Sequence, residues 1–124
     1  MKILSVDDSM VMLRIISDAA AVIGADTVTA RNGTLALKVL EEQGSDISMI
    51  LLDWNMPGMT GLEFLQKVKS DPRWKDIPVM MVTSEGNPDN VKKALIAGAT
   101  NYLVKPFAQE DLESKIMQCL GQGF

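Results

Sequence analysis

Five side chains stand where four apolar runs stop. Asp7 and Asp8 follow residues 3–6, Asp53 follows 49–52, Thr83 follows 79–82, and Lys105 follows 102–104. If these runs are strands of one parallel sheet, their carboxyl ends share an edge, and residues far apart in sequence meet there. Carboxylates gathered so closely repel: two unit charges about 4 Å apart cost about 4 kcal/mol at an effective dielectric of roughly 20. Such a cluster must keep a proton or bind a cation. Oxygen ligands without imidazole or thiolate select a hard ion, Mg²⁺ ahead of Ca²⁺ or Zn²⁺. Lys105 adds a mobile positive charge and Thr83 a hydroxyl. Cation, ammonium and hydroxyl together suit the three oxygens of a phosphoryl group. Asp53 comes just before the turn Met56-Pro57-Gly58 and reads as the nucleophile. Its attack on phosphorus gives an acyl phosphate, with metal and lysine stabilising the transferring charge.

The elements that must position these residues can be read in order. Residues 3–6 form a short apolar strand. Ser9, with Asp8 as a rival, caps a helix whose stripe is Met12, Ile15, Ile16, Ala19, Val22 and Ile23, stopped at Gly24. Residues 27–30 alternate polar and apolar, as an edge strand with one wetter face does. Asn32-Gly33 opens a helix through Ala36, Val39 and Leu40, closing near Gly44. Residues 49–52 are unbroken apolar sequence, fitting a central strand buried on both faces. Thr60 and Glu63 have capping-box spacing and open a helix through Leu62, Leu65 and Val68, which Asp71-Pro72 ends. Residues 79–82 are a second central strand. Asn87-Pro88 reads as a cap with proline at the first helical position, Val91, Ala94 and Leu95 facing inward and Gly98 stopping the helix. Residues 102–104 are the fifth strand, and Leu112, Ile116, Cys119 and Leu120 the buried side of the last helix. The tail 121–124 is expected to fray. Strands alternating with helices across short loops predict a single α/β domain over residues 1–124, a doubly wound parallel sheet of five strands with five helices.

Composition narrows the chemistry. The 124 residues suffice for one core. No run approaches the roughly 20 apolar residues of a membrane helix, so no membrane insertion is expected. Asp7-Asp8 cuts the first apolar run too short for a secretory signal. A lone cysteine, Cys119, fits a reducing cytoplasm and reads as a small core residue. There is no histidine, which removes histidine-based catalysis and His/Cys zinc sites. A net charge of −4 gives no general attraction to nucleic acid. Several singled-out residues have plain structural readings: Trp74 beside Pro72 as surface packing, Met56, Met59, Met80 and Met81 as gap-filling residues, and Lys92-Lys93 as a solvated helix face.

Val6-Asp7-Asp8-Ser9, the stretch from Asp53 to Glu63, Val82-Thr83-Ser84-Glu85, Ala97-Gly98-Ala99 and Tyr102-Leu103-Val104-Lys105-Pro106-Phe107 together resemble the receiver domains of bacterial two-component response regulators, most closely single-domain chemotaxis regulators of the CheY type. The resemblance covers the whole chain. It implies a flavodoxin-like sheet in the order 2-1-3-4-5. It implies that Asp53 accepts phosphate from a CheA-like sensor histidine kinase, and that Mg²⁺ is held by Asp7, Asp8, Asp53 and the backbone carbonyl of Asn55. Lys105 would contact the phosphate. Thr83 would move toward it, and Tyr102 would swing inward behind Thr83, altering a target-binding face made by the fourth helix, fifth strand and fifth helix. The flagellar motor switch is one such target. Asn55 and Glu85 would flank the attacking water and set a short phosphate lifetime, and Lys105-Pro106 would be a cis peptide. Two departures stand out. The fourth helix starts Asn87-Pro88-Asp89 where the chemotaxis regulators carry lysines, and Ala108 stands where a capping hydroxyl is common. Lys115 does match a basic partner-facing position.

Two other functions share parts of this pattern. A Mg²⁺-dependent phosphohydrolase acting through an aspartyl phosphate would want a second acid two residues after its nucleophile, where this chain has Asn55. A flavin-binding protein of the same topology would want a phosphate-cradling loop after the first strand, where Asp7-Asp8 would repel it.

Overall fold

The computed structural model describes residues 1–121; the fraying expected of residues 122–124 lies outside the described residues. Its elements are β1 (Lys2–Val6), α1 (Met10–Val22), β2 (Asp26–Ala30), α2 (Gly33–Gln43), β3 (Ile47–Leu52), α3 (Gly61–Ser70), β4 (Val79–Thr83), α4 (Pro88–Ile96), β5 (Asn101–Val104) and α5 (Gln109–Cys119), with a 3-10 turn at Gly44–Asp46. The five strands are all parallel, in the order β2-β1-β3-β4-β5. β2 lies at the edge and is the wetter strand, as its alternation requires.

The unbroken apolar runs exist because the sheet has two cores. Leu4, Val6, Ile50, Leu52, Val79 and Met81 pack with Ala36 and Leu40 of α2, Phe64, Leu65 and Val68 of α3, and Ala94 of α4. Their alternating neighbours Ile3, Met49, Leu51, Met80 and Val82 pack with Ile16, Ala19 and Ala20 of α1 and Leu112 and Ile116 of α5. Most central-strand residues therefore feed one core or the other, and charged residues wait until the strands end; Ser5, fully buried in β1 with its hydroxyl unpartnered, is the polar exception.

The caps follow the sequence closely. Ser9, Asn32 and Asn87 each accept a backbone N–H at their helix starts, and Thr60 and Glu63 form both halves of the capping box. Ala108 caps nothing with its side chain, as expected. Gly24, at φ +80°, and Gly98, at φ +112°, reverse the chain after α1 and α4, a conformation that favours glycine.

Three packing expectations are corrected. α1 buries Leu13, Ile16, Ala19 and Ala20, while Val22 is 65 % exposed and Ile15 and Met10 also face outward. The helix is apolar nearly all round, so periodicity alone does not fix its face, and the close approach to the sheet is made by alanines. On α4 only Ala94 is buried, and Leu95 is turned to the surface. Trp74 is not surface packing: it is buried in the α2–α3 core, beneath the Arg73 guanidinium at 4.3 Å from the ring centroid. Its indole lies against Gly44, where a Cβ would sit 2.8 Å from the ring nitrogen. Cys119 is half-buried and packs against the α1–α5 core, and burial pushes its thiol above the ordinary range.

Candidate functional site

Ladder hydrogen bonds running one residue past the strands hold the charged side chains at the sheet edge. Asp7 N–H donates to the Ala30 carbonyl at 3.1 Å, Asp53 N–H to Val6 at 3.0 Å, and Lys105 N–H to Thr83 at 2.8 Å. The backbone under each charge is thus fixed by the neighbouring strand. Asp7 is 1 % exposed and Asp53 7 %. Asp8 is exposed. One carboxylate oxygen from each of Asp7, Asp8 and Asp53 lies within 4.8 Å of the others.

Lys105 closes the cluster. Its Nζ donates to Asp7 Oδ2 at 3.0 Å and stands 3.8 Å from Asp53 Oδ2. The other Asp7 oxygen, Oδ1, accepts the Ser9 N–H at 2.9 Å. These contacts compensate the burial of Asp7 only in part. Desolvation holds its carboxyl above the usual carboxylate range, the Ser9 amide and Lys105 pull it down, and the charge of Asp53 pushes it up again. Three carboxylates thus share one ammonium, and the pocket is short of positive charge.

The loop after β3 is held from below. Gly61 N–H donates to the Trp54 carbonyl at 2.8 Å. A Cβ on Gly61 would collide with the Asp53 carbonyl oxygen, so glycine at the first position of α3 lets that helix approach the backbone of the acid. Met56 is buried and anchors the loop, Gly58 turns it at φ +77°, and Trp54 is half-buried beside Asp53. Asn55 is exposed on the same loop.

Thr83 is fully buried, and its Oγ1 accepts the Glu85 N–H at 3.2 Å. The Tyr102 hydroxyl donates to the Glu85 carbonyl. Tyr102 is half-buried, and burial with the nearby Glu85 and Asp53 charges pushes its phenol up, so the ring keeps its proton to donate. The Lys105–Pro106 peptide is cis. The sheet thus gathers Asp7, Asp8, Asp53 and Lys105 directly, and ties Thr83 to Tyr102 through Glu85. The sequence reading treated Ser9 only as a helix cap and overlooked its amide at Asp7. It also overlooked Gly61, whose position directly after a capping threonine was the available signal.

A family model, response regulator receiver domain, matches residues 3–117. The chain belongs to this receiver-domain family. The chemotaxis protein CheY homolog of Campylobacter jejuni is 43% identical over 99% of this chain and 95% of its own length. The chemotaxis protein CheY1 of Helicobacter pylori is 43% identical over 98% of both. Among solved structures, the Vibrio cholerae chemotaxis protein CheY4 superposes with a TM-score of 0.88 at 34% identity, covering 96% of this chain and 98% of that one. This receiver is closely related to CheY chemotaxis regulators and acts in two-component signalling. It is a signalling switch more than a classical enzyme, and its acidic cluster is suited to a metal. Among the described residues, no helix is long and apolar enough to cross a membrane.

Proposed function

We propose that Asp53 accepts a phosphoryl group from a sensor histidine kinase, with Mg²⁺ held by Asp7, Asp8, Asp53 and the Asn55 carbonyl, and that the aspartyl phosphate resets a protein-binding face. The observation that carries this reading is the Lys105 ammonium 3.0 Å from Asp7 and 3.8 Å from Asp53 at the mouth of an under-compensated acidic pocket. The donor set suits a hard divalent ion: it is all oxygen, clustered within 4.8 Å, and short of positive charge. Mg²⁺, when bound, would offset the acids and polarise the phosphoryl oxygens.

The chain's own residues do the rest. An Asp53 oxygen attacks phosphorus, the new P–O bond forms as the P–N bond to the donor imidazole breaks, and the imidazole leaves with the bonding electron pair. Lys105 needs only a small shift from Asp7 to meet a phosphoryl oxygen on Asp53, and as a compact charge on a flexible stem it can follow the group through transfer. The buried Thr83 hydroxyl can exchange its Glu85 amide for another phosphoryl oxygen. That exchange frees the Glu85 backbone, and with it the Tyr102 hydroxyl, on the face formed by α4, β5 and α5. Tyr102, Val104, Lys93 and Lys115 lie on those elements and supply a mixed apolar and basic surface for a target, the flagellar motor switch among the candidates. Asn55 flanks the route of the hydrolytic water and limits the phosphate's lifetime. The protein works in the cytoplasm, as a switch and not as a turnover enzyme.

Intact-mass measurement after incubation with Mg²⁺ and acetyl phosphate tests this. One added phosphate is expected, lost with chelator and absent in Asp53→Asn. Uptake by Asp53→Asn at the wild-type rate would remove Asp53 from the mechanism. Multiple turnover of small phosphoesters would instead favour the phosphohydrolase. Trp54 emission should change on adding Mg²⁺; a flat titration would argue against a metal beside Asp53.

A further inference from the structure

Glu85 makes three hydrogen bonds to three different elements of the switch. Its N–H donates to Thr83 Oγ1 at 3.2 Å. Its carbonyl accepts the Tyr102 hydroxyl. Its side-chain Oε1 accepts the N–H of Asn87 at 3.2 Å, and Asn87 is the N-cap of α4, its own Oδ1 accepting the Asp89 N–H at 2.9 Å. The expected place of this carboxylate was beside the attacking water. In the unloaded chain its Oε1 is hydrogen-bonded at the start of α4.

The link is short and tightly laid. Only Gly86 separates Glu85 from Asn87, and a Cβ there would press on Val104 Cγ1 at 3.2 Å and Cγ2 at 3.6 Å. The loop therefore runs hard against β5, and glycine permits it. Pro88 follows at the first position of α4 and fixes the backbone beyond the cap. A shift of the Glu85 backbone has little slack in which to dissipate before it reaches Asn87.

We infer that Glu85 is a positioning residue whose carboxylate couples the N-terminus of α4 to the Thr83–Tyr102 pair. The inference rests on the phosphoacceptor reading and names the side chain through which the start of α4 is reached. When Thr83 Oγ1 turns from the Glu85 amide to a phosphoryl oxygen, the backbone of Glu85 moves, and the carboxylate carries that movement to the Asn87 amide. The proline-led start of α4, which departs from the lysine-bearing start of the chemotaxis regulators, is then the receiving end of this link.

Amide spectra of the full chain, with and without acetyl phosphate and Mg²⁺, test it in wild type, Glu85→Ala, Glu85→Gln and Asn87→Ala. Loading is read by intact mass, and spectra are compared at equal loading. In unloaded wild type, the Asn87 amide should exchange at least tenfold more slowly than in Glu85→Ala. Glu85→Gln, which keeps an acceptor oxygen, should restore the protection. On loading, the amides of residues 87–91 should shift in wild type and Glu85→Gln, and shift less than half as far in Glu85→Ala. Asn87→Ala weakens the helix cap but keeps the backbone donor, so its loading-dependent shift should survive. If Glu85→Ala shifts as wild type does, or if Asn87→Ala loses the shift equally, the coupling through the carboxylate is overturned. Failure of wild type to load at all would be seen separately by mass, and would overturn the phosphoacceptor reading and this inference with it.

Discussion

Asp7 shows what a buried acid costs when its compensation is incomplete. Its folded pKa is raised, chiefly by desolvation. The folded chain therefore binds this proton more tightly than the unfolded chain does. The contribution of Asp7 to stability is fully present below its unfolded value near 3.8 and is lost as pH rises through the elevated folded value. At neutral pH without metal it works against folding. Asp7→Asn should thus raise the stability of the metal-free protein by on the order of 1 kcal/mol, read by thermal unfolding in chelator. The same substitution should weaken Mg²⁺ binding at least tenfold, read by calorimetry. An unchanged melting temperature would mean that Lys105 and the Ser9 amide compensate Asp7 fully. At this scale the strand-end charges were legible, because a charge that stops an apolar run must be used or solvated. Trp74 was not. Its neighbours Asp71, Pro72 and Arg73 are surface residues, and what buries the indole is Gly44, thirty positions away in sequence.

Among the elements, α3 bears most directly on the site. Its capping box fixes where the helix begins, and Gly61 brings that beginning against the backbone of Asp53. Gly61→Ala must displace either the helix or the acid. The expected cost is about 1–3 kcal/mol, as for other overpacked positions, with a parallel loss of Mg²⁺ affinity; denaturant unfolding and calorimetry read the two. A variant that loses stability but binds Mg²⁺ normally would show that α3 yields and Asp53 does not. Lys69 does a quieter job at the other end of α3. Its ammonium donates to the carbonyls of Lys75 and Ile77 at 3.0 and 2.7 Å, and burial pushes its pKa down. The existence, type and caps of the helices were readable, since caps are local. The buried faces of α1 and α4 were not. α1 is apolar on too many sides for a stripe to be decisive, and α4 touches the core through the single small residue Ala94.

For the whole molecule, the parallel sheet and its two cores follow from the alternation of apolar runs with helical stripes. The strand order came from the resemblance alone, because nothing in short apolar runs says which lies beside which. What the sheet contributes to function is convergence: residues 7, 53 and 105 are held at one edge by ladder bonds to neighbouring strands. A ligand bound only by that assembled edge must stabilise the whole fold. Mg²⁺ at a hundred times its Kd should add roughly 2.7 kcal/mol by mass action. Asp53→Asn should lose most of that gain while unfolding cooperatively. A metal-dependent gain of equal size in Asp53→Asn would place the binding elsewhere.

Borohydride trapping gives the most direct reading of where the phosphoryl group goes. The wild-type protein is loaded with acetyl phosphate and Mg²⁺, reduced so that an acyl phosphate becomes an alcohol, digested, and its peptides are sequenced by mass spectrometry. Homoserine should be found at position 53 and at neither 7 nor 8. Reduction at Asp7 or Asp8, or phosphate that survives the borohydride on a hydroxyl side chain, would contradict an acyl phosphate on Asp53.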